Sequence, residues 1–350
     1  MRPLKIDGSF GEGGGQILRT SLTLSAITGT PFEIFNIRAG RKSPGLRPQH
    51  LQAVKAVQRV SAAVVEGAEA GSESLAFTPG LVNHGEYSFE IGTAGSVSLV
   101  LQSIFLPLAL LKNGGTDRRS RVRITGGTHV PWSPCFHYLK LHWLEYARKL
   151  GLDAGLEMPR AGFYPRGGGE LIAEISPTGD IKPLVLEERG ALRKINGVSA
   201  TGNLPEHVRR RQAERAEKRL AGAGLACALD IRQEEMPAVG RGSMLLLVAE
   251  FERSQCCYYG LGAVGKRAEA VADEAVDGLL GLMETDGVVD EHLADQLVLP
   301  LALSKGSSRF ITPKVTSHLL TNIEVIKKFL PVEIEVEDMG DKGGRVRIAG

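Results

Sequence analysis

The chain repeats itself, and that repeat constrains the fold more than any other feature of its 350 residues. Three stretches open on a histidine and continue with apolar residues at helical spacing: 50–57 from His50, 137–144 from His137 and 318–325 from His318. In the third, Leu319, Ile323, Ile326 and Leu330 fall on one face. A proline stands shortly before each histidine (Pro48, Pro134, Pro313), as befits a loop leading into a helix. An alternating segment follows each helix, at 64–69, 152–157 and 332–338, and reads as a strand. A second helix type recurs at 16–27, 98–111 and 291–303, each ending near a glycine (Gly29, Gly114, Gly306).

The intervals locate an insertion. His50 and His137 are 87 residues apart, whereas His137 and His318 are 181 apart, an excess of 94. The second helix type gives 85 and then 192, an excess of 107. We therefore expect three units of one βα type, each needing neighbours to bury its apolar faces, with an extra segment placed before the third. The main domain takes residues 1–184 and 286–350, and the insert takes 185–285. The insert reads as strand 194–201, helix 205–220, strand 226–233, strands 244–251 and 257–261, and helix 266–283, a small α+β module.

A net charge of +2 names no partner, so nucleic-acid contacts would have to come from local patches. The four cysteines form no CxxC pair, which indicates neither a zinc site nor a disulfide framework and suits a cytoplasmic protein. No apolar signal core or membrane span is expected.

Four segments could carry chemistry. In 8–16, glycines surround Glu12 and lead into a helix at Gln16. Helix N-termini favour anions, and a carboxylate there can hold Mg²⁺ beside phosphates, although a glycine-rich turn also serves simply as a tight turn. In 37–50, Arg38, Arg41, Lys42, Arg47 and His50 share a Gly/Pro loop. That loop is either a phosphate site built on arginine forks or a solvated basic run. His318 is a cap, a packed side chain or a nucleophile, since neutral imidazole is available near pH 7. In 292–296, His292, Leu293, Ala294, Asp295 and Gln296 open a helix, where Asp295 and Gln296 could read ribose hydroxyls or a base edge, or merely cap it. The cations Arg209, Arg210, Arg211, Arg215, Lys218 and Arg219 are interleaved with glutamates and read as a solvated face before an RNA contact.

Together these segments resemble the RNA 3'-terminal phosphate cyclase family. The resemblance rests on 11–19 with Glu12 and Arg19, 37–51 with Arg38, Arg41 and His50, 91–102 ending at Gln102, Gly126-Gly127-Thr128, 163–169 (Phe-Tyr-Pro-Arg-Gly-Gly-Gly), 292–296 and 318–322. It implies an α+β fold of three repeated βαβαββ-like units forming the main domain, with an inserted smaller α+β domain. It also implies an ATP-dependent reaction: AMP is carried on His318, passes to an RNA 3'-phosphate as RNA(3')pp(5')A, and leaves when the 2'-hydroxyl closes a 2',3'-cyclic phosphate.

By position, Gln16, Gln102, Pro131 and 292–296 match the ATP site, with Pro131 and His292 flanking adenine. Some relatives carry Tyr where this chain has His292. Glu12 matches the residue near Mg²⁺ (or Mn²⁺) and the triphosphate, and Arg19, Arg38, Arg41 and His50 match the groups around the reacting phosphates. The partners implied are ATP and a 3'-phosphorylated RNA; the oligomeric state is left open, a homodimer included. A non-catalytic RNA or ribosome-assembly scaffold of the same fold would lack the nucleophile. An enolpyruvyl transferase would have no reason to keep His318 in this setting.

Overall fold

The computed structural model describes residues 2–111, 119–225 and 227–350. Gly114 and Ala226, used above as a helix end and a strand start, lie outside them. One order of elements, βαβαββ, occurs three times. The first copy is β1 (Leu4–Asp7), α1 (Gln16–Thr28), β2 (Phe32–Phe35), α2 (Pro48–Ser61), β3 (Val64–Glu66) and β4 (Leu75–Thr78). The second is β5 (Glu86–Glu90), α3 (Val97–Ala109), β6 (Ser120–Gly126), a composite helix, β7 (Ala154–Arg160) and β8 (Gly169–Ile175). The composite helix joins α4 (Phe136–Tyr138) and α5 (Leu144–Lys149) through a π-helical turn, Leu139–Trp143.

The third copy opens with β9 (Val185–Leu186) and is then interrupted. The interruption holds β10 (Leu192–Gly202), α6 (Glu206–Gly222), β11 (Ala228–Glu235), β12 (Gly242–Phe251), β13 (Gln255–Leu261) and α7 (Ala268–Met283). The copy resumes with α8 (Glu291–Ala302), β14 (Ser307–Thr312), α9 (Ser317–Phe329), β15 (Glu333–Asp338) and β16 (Gly344–Ala349). Val185 and Leu186, placed in the insert from sequence, instead pair in parallel with Arg309 and Phe310 of the third copy's sheet. A two-residue strand is too short to show an alternation.

Each copy builds a four-stranded sheet of the same order: β1-β2-β4-β3, β5-β6-β8-β7 and β9-β14-β16-β15. The first two strands of each run parallel, which requires a crossover, supplied by α1, α3 and, after the interruption, α8. The remaining pairs are antiparallel. Burial alternates along β6, so this sheet keeps one face in water and turns the other onto the helices. The helices are correspondingly central. In α3 only Leu99 and Gln102 escape full burial. Helix α1 packs on α2, α3 and α9, and α9 packs on α8, so the helix N-termini of all three copies meet.

The interrupting segment is a second sheet, ordered β11-β10-β12-β13. Its alternation divides cleanly. Ile195, Leu245, Leu247 and Phe251 pack with α6 and α7. Val198, Met244, Leu246 and Cys257 join the main core instead. Half of the basic run on α6 is spent on α7: Arg211 on Glu269, Arg215 on Asp273 and Arg219 on Asp273 and Asp277. That is an interhelical ion-pair seam, beyond the solvated face expected. The four cysteines are free, three of them buried. No described helix is long and apolar enough to cross a membrane.

Candidate active site

Where the helices of the three copies converge lies a cleft of about 890 Å³. Its wall includes Glu12, Gln16, Arg19, Arg38, Arg41, His50, Gln102, Pro131, His292, Asp295, Gln296 and His318. The structure therefore brings together all but two of the residues that the family resemblance assigns to the site. The exceptions are Leu293 and Ala294, which are fully buried in the core. The helical period explains this: 292, 295, 296 and 299 share the face of α8 toward the cleft, and 293 and 294 turn toward the core.

Glycines close the loop before α1 onto its neighbours. Gly11 has φ +58°, and a Cβ there would strike Thr321 Oγ1 on α9. The Glu12 N–H donates to that same hydroxyl at 3.3 Å. A Cβ on Gly15 would collide with the His50 ring. The glycine run thus carries the first copy's loop against Thr321 in the first turns of α9, whose second residue, His318, sits behind the N-cap Thr316.

His318 is half exposed, and its Nδ1 faces two acceptors: Gln16 Oε1 at 2.5 Å and Glu12 Oε2 at 2.9 Å. Gln16 Oε1 as acceptor, with the Glu12 carboxylate close by but out of hydrogen-bond line, favours the hydrogen on Nδ1, which leaves the lone pair on Nε2. Burial holds the imidazole below its ordinary pKa; Asp295 opposes this, while Arg19 and Arg41 reinforce it. The ring is therefore neutral near pH 7.

The cations differ in how they are committed. Arg41 is paired with Glu12 Oε1. Arg38, at φ +59°, donates Nη1 to Ser43 O and Gly45 O and so shapes its own loop. The Arg19 guanidinium makes no hydrogen bond and no ion pair within 4 Å among the described residues, and it lines the cleft. Burial pushes its pKa down to about 10 against the opposing charge of Asp295. An under-paired guanidinium in a cleft is a seat for an anion. His50, first expected to open α2, sits at its third position and accepts from Arg47 N–H at 3.4 Å. Burial, then Arg19, Arg38, Arg47 and Arg41, push its pKa down to about 3, so it is a neutral donor through Nε2.

On the opposite wall, Gln102 Nε2 donates to Gln296 Oε1 at 2.8 Å, joining α3 to α8. Burial raises Asp295 to about 6, against His318, His292 and Arg19. Asn322, one turn beyond His318, donates to Asp295 O and accepts from Thr20 Oγ1, tying α9 to α8 and α1. Sequence reading quoted Asn322 only as motif context; its i, i+4 relation to His318 was the available signal. Asp290, which precedes α8, was missed altogether. It is fully buried, caps Leu293 N–H at 2.9 Å, and accepts from Tyr138 Oη at 2.9 Å and His142 Nε2 at 2.6 Å. Nothing in the sequence joins positions 138, 142 and 290.

Glu12 Oε2 is buried and accepts no aligned hydrogen bond. Such an orphan oxygen fits Mg²⁺, which keeps most of its waters and takes only one or two protein carboxylates beside substrate phosphates. Among the described residues no three His, Cys, Asp or Glu side chains gather as a complete metal cage.

A sequence model described as RNA 3'-terminal phosphate cyclase matches residues 10–336. The chain belongs to the RNA 3'-terminal phosphate cyclase family. It is similar to the RNA 3'-terminal phosphate cyclase of Ralstonia nicotianae, at 45% identity over 95% of this chain and 93% of that protein. The proteins of the same name from Caldivirga maquilingensis (44%, covering 97% and 96%) and Pyrococcus furiosus (42%, covering 98% of each) are similar to it as well. The enolpyruvyl transferase NikO from Streptomyces tendae superposes only weakly, with a TM-score of 0.38 at 9% identity over 99% of this chain and 48% of that one. The cyclase-family membership is carried by sequence across the main domain and the interrupting segment alike.

Proposed function

We propose that this chain is an ATP-dependent RNA 3'-terminal phosphate cyclase that works through AMP bound to His318. The observation that carries the reading is the setting of that one ring: Nδ1 lies 2.5 Å from Gln16 Oε1 and 2.9 Å from Glu12 Oε2, while Nε2 has no partner among the described residues. Nε2 attacks the α-phosphorus of ATP, the N–P bond forms, and the bond to pyrophosphate breaks. The ring becomes cationic while its Nδ1 hydrogen stays on the acceptor pair, so Glu12 stabilises the charge that develops. Arg19 and Arg41 are the cations available to phosphate oxygens. The ATP-site assignment of Gln102, Pro131, His292, Asp295 and Gln296 fits their shared wall; Leu293 and Ala294 act there through the backbone and packing of α8. A divalent cation held by Glu12 Oε2 would neutralise charge on the phosphates when bound.

An oxygen of the RNA 3'-phosphate then displaces His318, giving RNA(3')pp(5')A. The 2'-hydroxyl attacks the adjacent phosphorus, loses its proton, and expels AMP. A phosphate monoester has no good leaving group at neutral pH; adenylylation supplies one. The closing step is intramolecular, for which proximity contributes up to about 7–11 kcal/mol. The attacker must be a ribose 2'-oxygen, so the substrate is RNA at its terminus.

Incubation with ATP labelled at the α-phosphate and Mg²⁺ is expected to leave an acid-labile label on the protein, absent in His318→Ala. Label persisting in that variant moves the nucleophile elsewhere. A substrate ending in a 2'-deoxy 3'-phosphate should accept AMP and never cyclise; its cyclisation would contradict attack by the 2'-oxygen.

A further inference from the structure

Two large aromatic side chains stand in water beside the cleft. Trp132 is 98% exposed, lines the cleft next to Pro131, and has φ +58°. A left-handed backbone is an outlier for so bulky a residue, and such strain persists where a site needs the side chain aimed outward. The loop is held firmly: Ser133 Oγ donates to Val130 O at 3.2 Å, and Tyr259 Oη donates to Ser133 O at 2.7 Å. The backbone that carries the indole is therefore held at the cleft's edge. Burial would have been favourable for so large a ring, and the chain's other tryptophan, Trp143, is buried.

Tyr164 is 69% exposed and stands on the adjoining segment, since His129 and Phe163 bridge the two in parallel. Arg166 follows, in the Phe-Tyr-Pro-Arg-Gly-Gly-Gly stretch to which the proposed chemistry gives no task. Its Nη1 reaches Val239 O, which brings it beside the loop of Arg241. Both arginines are exposed, and neither has a carboxylate within 4 Å among the described residues. This turn abuts the cleft: a Cβ on Gly167 would strike Ala94, and the same loop continues to Ser96, whose N–H donates to Gln49 beside His50. Exposed aromatic faces interleaved with unpaired cations form a platform for single-stranded nucleic acid, because every base offers a π-face and every phosphate an anion.

We infer that the single-stranded RNA upstream of the reacting 3' end lies across Trp132 and Tyr164, its bases stacked on the two rings and its phosphates facing Arg166 and Arg241. This rests on the RNA substrate proposed above and adds where the strand leaves the cleft. The test first loads enzyme with labelled AMP from ATP, then follows transfer to 3'-phosphorylated oligoribonucleotides from a dinucleotide upward. Wild-type transfer should improve with length. Trp132→Ala/Tyr164→Ala should lose about tenfold on long substrates, within the range of base–aromatic stacking, and little on the dinucleotide. Arg166→Ala/Arg241→Ala should flatten the salt dependence. AMP loading serves as the check on folding and should be preserved in both variants. Equal loss at all lengths, undiminished length dependence, or impaired loading would each overturn the platform. Binding is read separately, through quenching of the exposed indole by single-stranded RNA with a 3'-hydroxyl, which reacts with neither ATP nor enzyme. That quenching should vanish in Trp132→Phe. It distinguishes failure of the platform from failure of the adenylylation chemistry, since a wild-type enzyme that never loads AMP can still show or lack it.

Discussion

At the scale of residues, the site is a contest between burial and charge around one imidazole. Burial lowers the His318 pKa and Asp295 raises it. Removing the Asp295 charge takes away one of the two carboxylates that oppose burial, Arg19 and Arg41, leaving only Glu12 beside Nδ1, so the ring holds its proton less tightly. Asp295→Asn should therefore shift the acid limb of self-adenylylation, measured at saturating ATP, to lower pH. Its ATP requirement should rise at least about tenfold, the weight of a hydrogen bond to a charged group. An acid limb that stays put or moves up would show that Asp295 does not act on the ring. Asp295 itself titrates at about 6, so the wild-type limb belongs to the pair, whereas the variant's belongs to His318 alone. Where motif and chemistry coincided, as for Glu12, Arg19, Arg41 and His318, the sequence pointed to side chains that the fold gathers in one cleft. It was silent on which side chains of a helical motif turn inward. Leu293 and Ala294 lie in the same motif as Asp295 yet point the other way, and a run of five residues at a helix start does not declare its inward face without knowing what packs on it.

At the scale of elements, the first turn of α8 carries the wall proposed for the nucleotide, and it is anchored from beneath rather than from the cleft. Asp290 is fully buried among Tyr138, His142, Leu293 N–H and Cys257 N–H. Burial alone would raise its pKa; the charge and hydrogen bond of His142 outweigh this and hold it below the usual carboxylate value. Tyr138 and His142 reach it from the composite helix, where the π turn Leu139–Trp143 resets the angular phase between them. Asp290→Ala would strand a buried imidazole, a phenol and two backbone donors, and should cost about 3–5 kcal/mol. The check is a lower denaturant midpoint with an unchanged slope, along with weaker ATP use at temperatures where the variant is folded. A loss under about 1 kcal/mol, the size of an ordinary helix cap, would mean that the network contributes nothing beyond that cap. The sequence marked α1, α3, α8 and α9 well because their apolar spacing is long and regular. It missed the break in the second copy's helix and the two residues of β9. Both are local departures that only the partner elements make favourable.

At the scale of the molecule, the threefold order was visible in residue spacing, because each copy needs the same helix faces and the same turns. What spacing does not reveal is how firmly the interrupting segment is joined. Its sheet turns one face to its own helices and the other into the main core, so Val198, Met244 and Leu246 are shared property. Polar contacts follow the same seam. Gln255 exchanges hydrogen bonds with Tyr146 Oη, and Ala161 N–H donates to Pro237 O at 2.7 Å. Phe163 is buried against Gly202 and Gly242 of β10 and β12, where a Cβ on Gly242 would fall inside the ring's contact distance. A separately folding module would unfold alone; a sheet with half of its apolar surface in the main core has no stable state without it. Calorimetry at neutral pH should accordingly show one transition, with calorimetric and van't Hoff enthalpies in agreement. Gly242→Val should drive the seam apart at Phe163, lower the midpoint and separate the transition into two. Two transitions in the unaltered protein would sink the shared core. A single unshifted transition in Gly242→Val would show that the seam closes elsewhere than at Phe163.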